Sequence, residues 1–140
     1  MPDLEKRDAW ISLNLVPDIS SGQVQRLCAA FEDPREILQA SAEALQRQGG
    51  LGPKPAGRLA SFRWESALQA EKRRAEETGV SILTREDEEY PALLLEIFDP
   101  PVVLYVLGRL LPEDQMSLAV VGTRRPTTYG RRMAKTLGRE

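Results

Sequence analysis

Leu118-Ala-Val-Val-Gly-Thr-Arg-Arg-Pro-Thr-Thr-Tyr-Gly130 is the stretch on which the reading of the fold turns. Its first four residues form a near-continuous apolar run, the pattern of a parallel strand covered on both faces. Gly122 follows. Past the loop an amphipathic helix begins, with Tyr129, Met133 and Leu137 four residues apart on one side. Strand, glycine loop and helix in that order open a doubly wound α/β domain.

The loop has chemistry of its own. A helix N-terminus presents unpaired backbone N–H groups and the positive end of the helix dipole, which suits a phosphate. Gly122 permits close backbone approach or a positive φ, and Gly130 lets the helix pack tightly. Thr127 or Thr128 can cap the helix or donate a hydroxyl to a phosphate oxygen. Arg124 and Arg125 add guanidinium forks that match a phosphodiester. Neither the GxGxxG spacing of a dinucleotide site nor the Gly-Lys-Ser/Thr of a P-loop is present, so NAD and ATP are not indicated and no cofactor is expected. The competing reading is a capped loop with solvated arginines.

Working upstream, Val102 to Leu107 and Val80 to Leu83 are two further strand candidates, expected to lie parallel to the first. Asp87 to Asp99 is a turn-rich connector in which Leu93 to Phe98 makes one helical turn or a tight loop. Tyr90-Pro91 and Asp99-Pro100-Pro101 shape the approach to the strand at Val102. Glu86 to Glu89 reads as a solvated acidic loop. Three short strands and one helix cannot cover both faces of a parallel sheet. The final helix also reaches Glu140 without a stop, so this domain is expected to be incomplete, over residues 79–140.

Residues 1–78 read as a helical domain. Trp10, Leu13, Leu15 and Val16 give one apolar segment closed by Pro17. Ser20 or Ser21 caps a second helix carrying Val24, Leu27, Cys28 and Phe31 at spacings of three and four. Asp33-Pro34 starts a third, Ser41 a fourth that Gly49-Gly50 ends. After Pro55 one longer helix is expected to run to about Thr78, stopped by Gly79. Gly50-Leu-Gly-Pro-Lys-Pro-Ala-Gly-Arg-Leu59 resembles the hairpin of a helix-hairpin-helix unit, with Lys54 and Arg58 as a possible secondary, non-specific DNA contact. Leu15 to Leu27 is a degenerate copy with Asp18 where a glycine would be favoured.

Composition narrows the function. The 140 residues contain no histidine and one cysteine, Cys28. That removes Ser-His-Asp and Cys-His nucleophilic machinery, most zinc sites and any internal disulfide. No catalytic constellation is evident, so the chain is not expected to be an enzyme. No stretch approaches the length of a membrane span and the N-terminus lacks a signal-peptide core, so a cytoplasmic protein is expected, with no membrane partner. The net charge of −2 is unevenly spread. Residues 1–75 carry 11 basic and 10 acidic side chains, 76–115 carry 2 and 10, and 116–140 carry 6 and 1. A +5 segment that coincides with the glycine-arginine loop points to a localised anion-binding surface.

With these motifs located, a family can be named. Thr84-Arg-Glu-Asp-Glu-Glu-Tyr-Pro-Ala-Leu-Leu94, Ile97-Phe-Asp-Pro-Pro-Val-Val-Leu-Tyr-Val-Leu-Gly108 and Leu118 to Gly130 closely resemble the DNA-processing protein A family (DprA, also called Smf). The Tyr-Pro, Asp-Pro-Pro, strand-Gly and Val-Gly-Ser/Thr-Arg…Tyr-Gly blocks stand in order. The helical half resembles, more loosely, the family's sterile-alpha-motif-like or helix-hairpin-helix-like domain. The resemblance implies a Rossmann-like second domain and a protein that binds incoming single-stranded DNA in natural transformation, protects it and helps load the RecA recombinase. In the family the Gly-Ser/Thr-Arg loop lies in the DNA pocket, which maps to Gly122, Thr123 and Arg124, with Arg125, Thr128 and Gly130 as neighbours. Family domains run on through a second glycine-rich segment and a lysine, and homodimer and RecA contacts are expected in that later part. Two alternatives stand beside this reading: a nucleoside-monophosphate-binding Rossmann-like hydrolase, and a helical interaction or DNA-binding module only.

Overall fold

The computed structural model describes residues 4–116 and 119–139. By its internal contacts the chain divides into two compact units, Met1–Leu110 and Leu111–Glu140.

The first unit begins with six helices: α1 (Lys6–Asn14), α2 (Ser21–Ala30), α3 (Pro34–Gln39), α4 (Ala42–Arg47), α5 (Pro53–Ala60) and α6 (Trp64–Thr78). Local sequence sets their starts. Ser20 caps α2, and Gln23 returns the bond in a capping box. Asp33 accepts from Arg35 N–H and Pro34 takes the first turn of α3. Ser41 accepts from Ala44 N–H at 3.2 Å to start α4. Their apolar faces meet in one core in which Ile11, Leu13, Leu27, Ile37, Leu45 and Leu59 are all but inaccessible. The chain squeezes between α4 and α5 at Gly49, where a Cβ would lie 2.3 Å from Leu27 Cδ2 and 2.8 Å from the Leu45 carbonyl oxygen. Only glycine fits there.

The single long helix expected up to Thr78 is in fact two, α5 and α6, broken at Ser61 to Arg63. The reason lies in the core positions. Leu59 and Leu68 are both buried, yet nine residues at ~100° each would set them on opposite sides of one straight helix. A break lets both face inward. Gly79 then ends α6 in the left-handed conformation, φ 67°.

Two strands follow, β1 (Val80–Thr84) and β2 (Val103–Leu107). They pair antiparallel, with Val80 opposite Leu107 and Thr84 opposite Val103. This corrects the parallel arrangement expected of the two apolar runs. A parallel pair needs a crossover that carries the chain back along the sheet, whereas here the connection folds as a turn at Asp87 plus the one-turn helix α7 (Ala92–Leu95). Nor is the sheet covered on both faces. Ile82, Thr84 and Val103 share one face and are buried there, while on the other Ser81 is exposed and Leu83, Leu104 and Val106 are only half-buried. The third expected strand falls partly on Leu118, outside the described residues, and Ala119 to Val121 carry no strand pairing. The described chain is therefore a mixed helical protein with a small two-stranded antiparallel sheet.

The second unit contains a short 3-10 turn, Pro112–Met116, residues 119–127 without regular structure, and α8 (Thr128–Leu137).

Candidate nucleic-acid interface

The loop that leads into α8 holds the predicted site. Thr127, not Thr128, is the cap: its Oγ1 accepts from the Gly130 N–H at 3.1 Å, and its carbonyl accepts from the Arg131 N–H at 3.0 Å. Among the described residues the N–H groups of Thr128 and Tyr129 have no partner, so the helix start points two donors outward. Arg124 and Arg125 sit in a bend just ahead, both exposed and neither in an ion pair among the described residues. Thr123 and Thr128 are exposed as well. The glycines differ from expectation in detail. Gly122 does not have a positive φ, and nothing stands within 4 Å of where its Cβ would be. A Cβ on Gly130 would meet Thr127 Oγ1 at 3.5 Å, an ordinary contact. Open space around Gly122 leaves room for a ligand to approach the backbone.

Past the loop, α8 has two sides. Tyr129, Met133 and Leu137 line one, all at least partly exposed. Thr128, Arg131, Arg132, Lys135, Thr136 and Arg139 line a shallow groove of about 650 Å³ on the other. Sequence reading counted these cations in the basic tail but left them out of the site. The signal was there, since Arg131, Lys135 and Arg139 stand four apart.

The second predicted contact looks different. Lys54 is exposed near the start of α5. Arg58, one turn on, is clasped within the chain: its guanidinium donates to the Asp18 carboxylate and, at 3.3 Å, to the Pro17 carbonyl oxygen. Asp18 itself has φ 57°, so the position where a glycine would be favoured is in the left-handed region. The two hairpin-like loops of the helical half are thus tied to each other through Arg58.

The acidic run is not wholly solvated, which corrects the reading of Glu86 to Glu89. Glu86 accepts from Trp10 Nε1 at 3.0 Å and pairs with Lys6 at 2.9 Å. Asp87 accepts from the Thr84 N–H at 2.7 Å and from its hydroxyl at 2.9 Å. Glu88 and Glu89 are exposed. Burial pushes the Glu86 and Asp87 carboxyls up, but hydrogen bonds and nearby cations outweigh it and hold both below the ordinary carboxylate range. Arg85 lies over the Trp10 ring, 4.8 Å from its centroid, with Nε and Nη2 buried and without hydrogen-bond partners. The ring face takes the place of an acceptor. Tyr90, 5% exposed, donates its hydroxyl to the Pro101 carbonyl oxygen at 2.7 Å and so joins the Tyr-Pro block to the Asp-Pro-Pro block. These groups organise the hairpin between β1 and β2. Among the described residues no helix is long and apolar enough to cross a membrane.

Comparison with known proteins supports the family resemblance. Residues 81–140 match the family model described as DNA recombination-mediator protein A. The chain is 30% identical over 132 residues to protein Smf of Synechocystis sp., an alignment covering 91% of this chain and 33% of that protein. It is 35% identical over 65 residues to DNA processing protein DprA of Bacillus subtilis, covering 46% of this chain and 22% of that protein. The chain thus spans a third or less of the length of these curated relatives. No solved structure matches it.

Proposed function

Residues 81–140 belong to the DNA recombination-mediator protein A family, and from that premise we propose that this chain contributes the first part of a single-stranded DNA site used in DNA processing for natural transformation. The observation that carries the reading is the start of α8, where outward N–H groups of Thr128 and Tyr129 follow two exposed arginines that have no ion pair among the described residues. A phosphodiester is the ligand that such donors and forks suit. Gly122, Thr123 and Arg124 take the phosphate, and Arg125, Thr128 and Gly130 border it. Such a site binds without base readout, because every contact is to the backbone.

The same reading assigns residues 1–78 to a helical, helix-hairpin-helix-like domain and residues from 79 onward to a Rossmann-like one. It makes the protein a mediator without catalytic chemistry that protects the strand and helps load the RecA recombinase, with homodimer and RecA contacts made outside this chain. The test is fluorescence anisotropy of a labelled poly-dT oligonucleotide, titrated with the chain at low and moderate salt. Binding should weaken with salt, and Arg124→Ala should lower affinity equally for poly-dT and mixed sequences. A folded chain that binds no poly-dT, or binds it unchanged as Arg124→Ala, sinks the assignment of the loop.

A further inference from the structure

We propose, building on that reading of the loop, that the basic face of α8 continues the contact as a track for several consecutive phosphates, so that the ligand is an oligonucleotide strand and not a mononucleotide. At ~100° per residue, Arg131, Arg132 and Lys135 fall within an arc of about 100°, with Arg139 two residues past the helix end, while Tyr129, Met133 and Leu137 occupy an arc of about 80° on the far side. The four cations line one open groove with Thr128 and Thr136.

Helix stability does not account for them. The helix from Thr128 to Leu137 contains no acidic residue, and none of the four cations has an ion-pair partner among the described residues. Like charges four apart, Arg131 with Lys135 and Lys135 with Arg139, each cost a few tenths of a kcal/mol. Lys135 and Arg139 are repaid by the helix dipole at the C-terminal end. Arg131 and Arg132 stand near the N-terminal end, where the dipole opposes a cation. Cations held against both terms are matched by an anion from outside.

The shape of that anion follows from the length. Ten residues of helix extend ~15 Å, farther than one phosphate group reaches, and a single phosphate would need only the loop and the helix start. Three of the four cations are arginines, whose planar forks take phosphate oxygens in pairs. A mononucleotide leaves most of this face unused.

The experiment uses the whole chain with labelled dT15 across a salt series, beside Arg131→Gln/Arg132→Gln and the charge-keeping Arg131→Lys/Arg132→Lys. Each lost phosphate contact lowers the magnitude of the log-affinity against log-salt slope by about 0.7 for a single strand. The glutamine pair should therefore cut it by about 1.4 and weaken dT15 binding about tenfold or more at low salt. The lysine pair should restore both the slope and most of the affinity, which separates lost charge from a damaged fold. If the glutamine pair binds dT15 with the parent slope while Arg124→Ala loses it, the track is wrong and the loop stands. If thymidine monophosphate competes with dT15 as well as dT5 does at equal phosphate concentration, the track is also wrong. A parent chain that prefers phosphatidylserine vesicles to dT15 would give this face to a membrane surface and overturn the proposal.

Discussion

Arg7 on α1 and Asp87 in the turn after β1 close on each other across 80 residues of sequence, with Nε 3.0 and 3.2 Å from the two carboxylate oxygens. The guanidinium of Arg7 also donates to the Ile82 carbonyl oxygen. Asp87 in turn receives the N–H and hydroxyl of Thr84, a residue with no exposed surface. One carboxylate therefore ends the strand and anchors it to the helical core. Asp87→Ala removes the carboxylate's bonds to Arg7 and Thr84 and leaves the Thr84 N–H without this acceptor, so it should cost about 1–3 kcal/mol. Arg7→Ala should cost less, because the Thr84 bonds survive and the Arg7 side chain is 38% exposed. Urea midpoints at pH 7 measure both. Equal losses would mean that the Thr84 bonds contribute nothing.

Acid should weaken the fold through the same group. Asp87 and Glu86 have carboxyls raised by burial but lowered further by their donors and by Arg7 and Lys6, and Asp33 is lowered by its hydrogen bond from Arg35. A folded value below the unfolded one contributes stability that is fully present above the unfolded pKa, near 4, and is lost as pH falls through the folded values. Urea midpoints should hold steady from pH 7 to about 5 and then decline toward pH 2. Asp87→Asn together with Glu86→Gln should flatten the decline. A double variant that declines as steeply as the parent would place the acid sensitivity elsewhere.

Cys28 should be slow to react. Burial pushes its thiol up to about 11, and the charges of Arg85 and Lys6 only partly offset this. Since the thiolate is the nucleophile, an aromatic disulfide reagent at pH 8 should modify the folded chain on the order of 100-fold more slowly than the urea-unfolded chain. Comparable rates in the two states would show that the site opens readily.

What could be read from the chain in advance followed from short-range rules. Ser20, Asp33, Ser41, Thr127 and Gly79 each mark a helix end by chemistry that acts within four residues, and each does so here. The antiparallel pairing of Val80–Thr84 with Val103–Leu107 could not be read, because apolar runs of five residues carry no direction. The break after Ala60 was hidden for a related reason: Ser61-Phe-Arg63 contains neither Gly nor Pro, and only the shared core of Leu59 and Leu68 demands it. Glu86 and Asp87 sit in an acidic run that looks solvated until α1 brings Lys6, Arg7 and Trp10 against it. The loop from Gly122 to Gly130 was legible as a helix start with arginines beside it. The four-residue spacing of Arg131, Lys135 and Arg139 was also there to be read, but the groove that gathers them with Thr128 and Thr136 beside the loop was not.

Asp18 offers a test in which two small effects oppose each other. Its φ of 57° is costly for a side chain with a Cβ, by about 1–2 kcal/mol for an ordinary residue and less for Asp, which bonds locally. Its carboxylate also pairs with Arg58, but the two side chains are 79% and 43% exposed, and such pairs contribute about 0–1 kcal/mol. Asp18→Gly relieves the backbone and loses the pair, while a freer unfolded chain takes back about 0.5–1 kcal/mol, so its stability should stay within about 1 kcal/mol of the parent. Asp18→Ala loses the pair and keeps the strain, and should be the less stable of the two by about 1 kcal/mol. Equal stabilities would show that backbone conformation is not what residue 18 supplies. Asp18→Gly also releases the Arg58 guanidinium beside Lys54. If α5 touches a single strand, the salt slope for dT15 should steepen in Asp18→Gly by about 0.7, and that gain should vanish when Arg58→Ala is added. An unchanged slope would confine the phosphate contacts of this chain to the loop and α8.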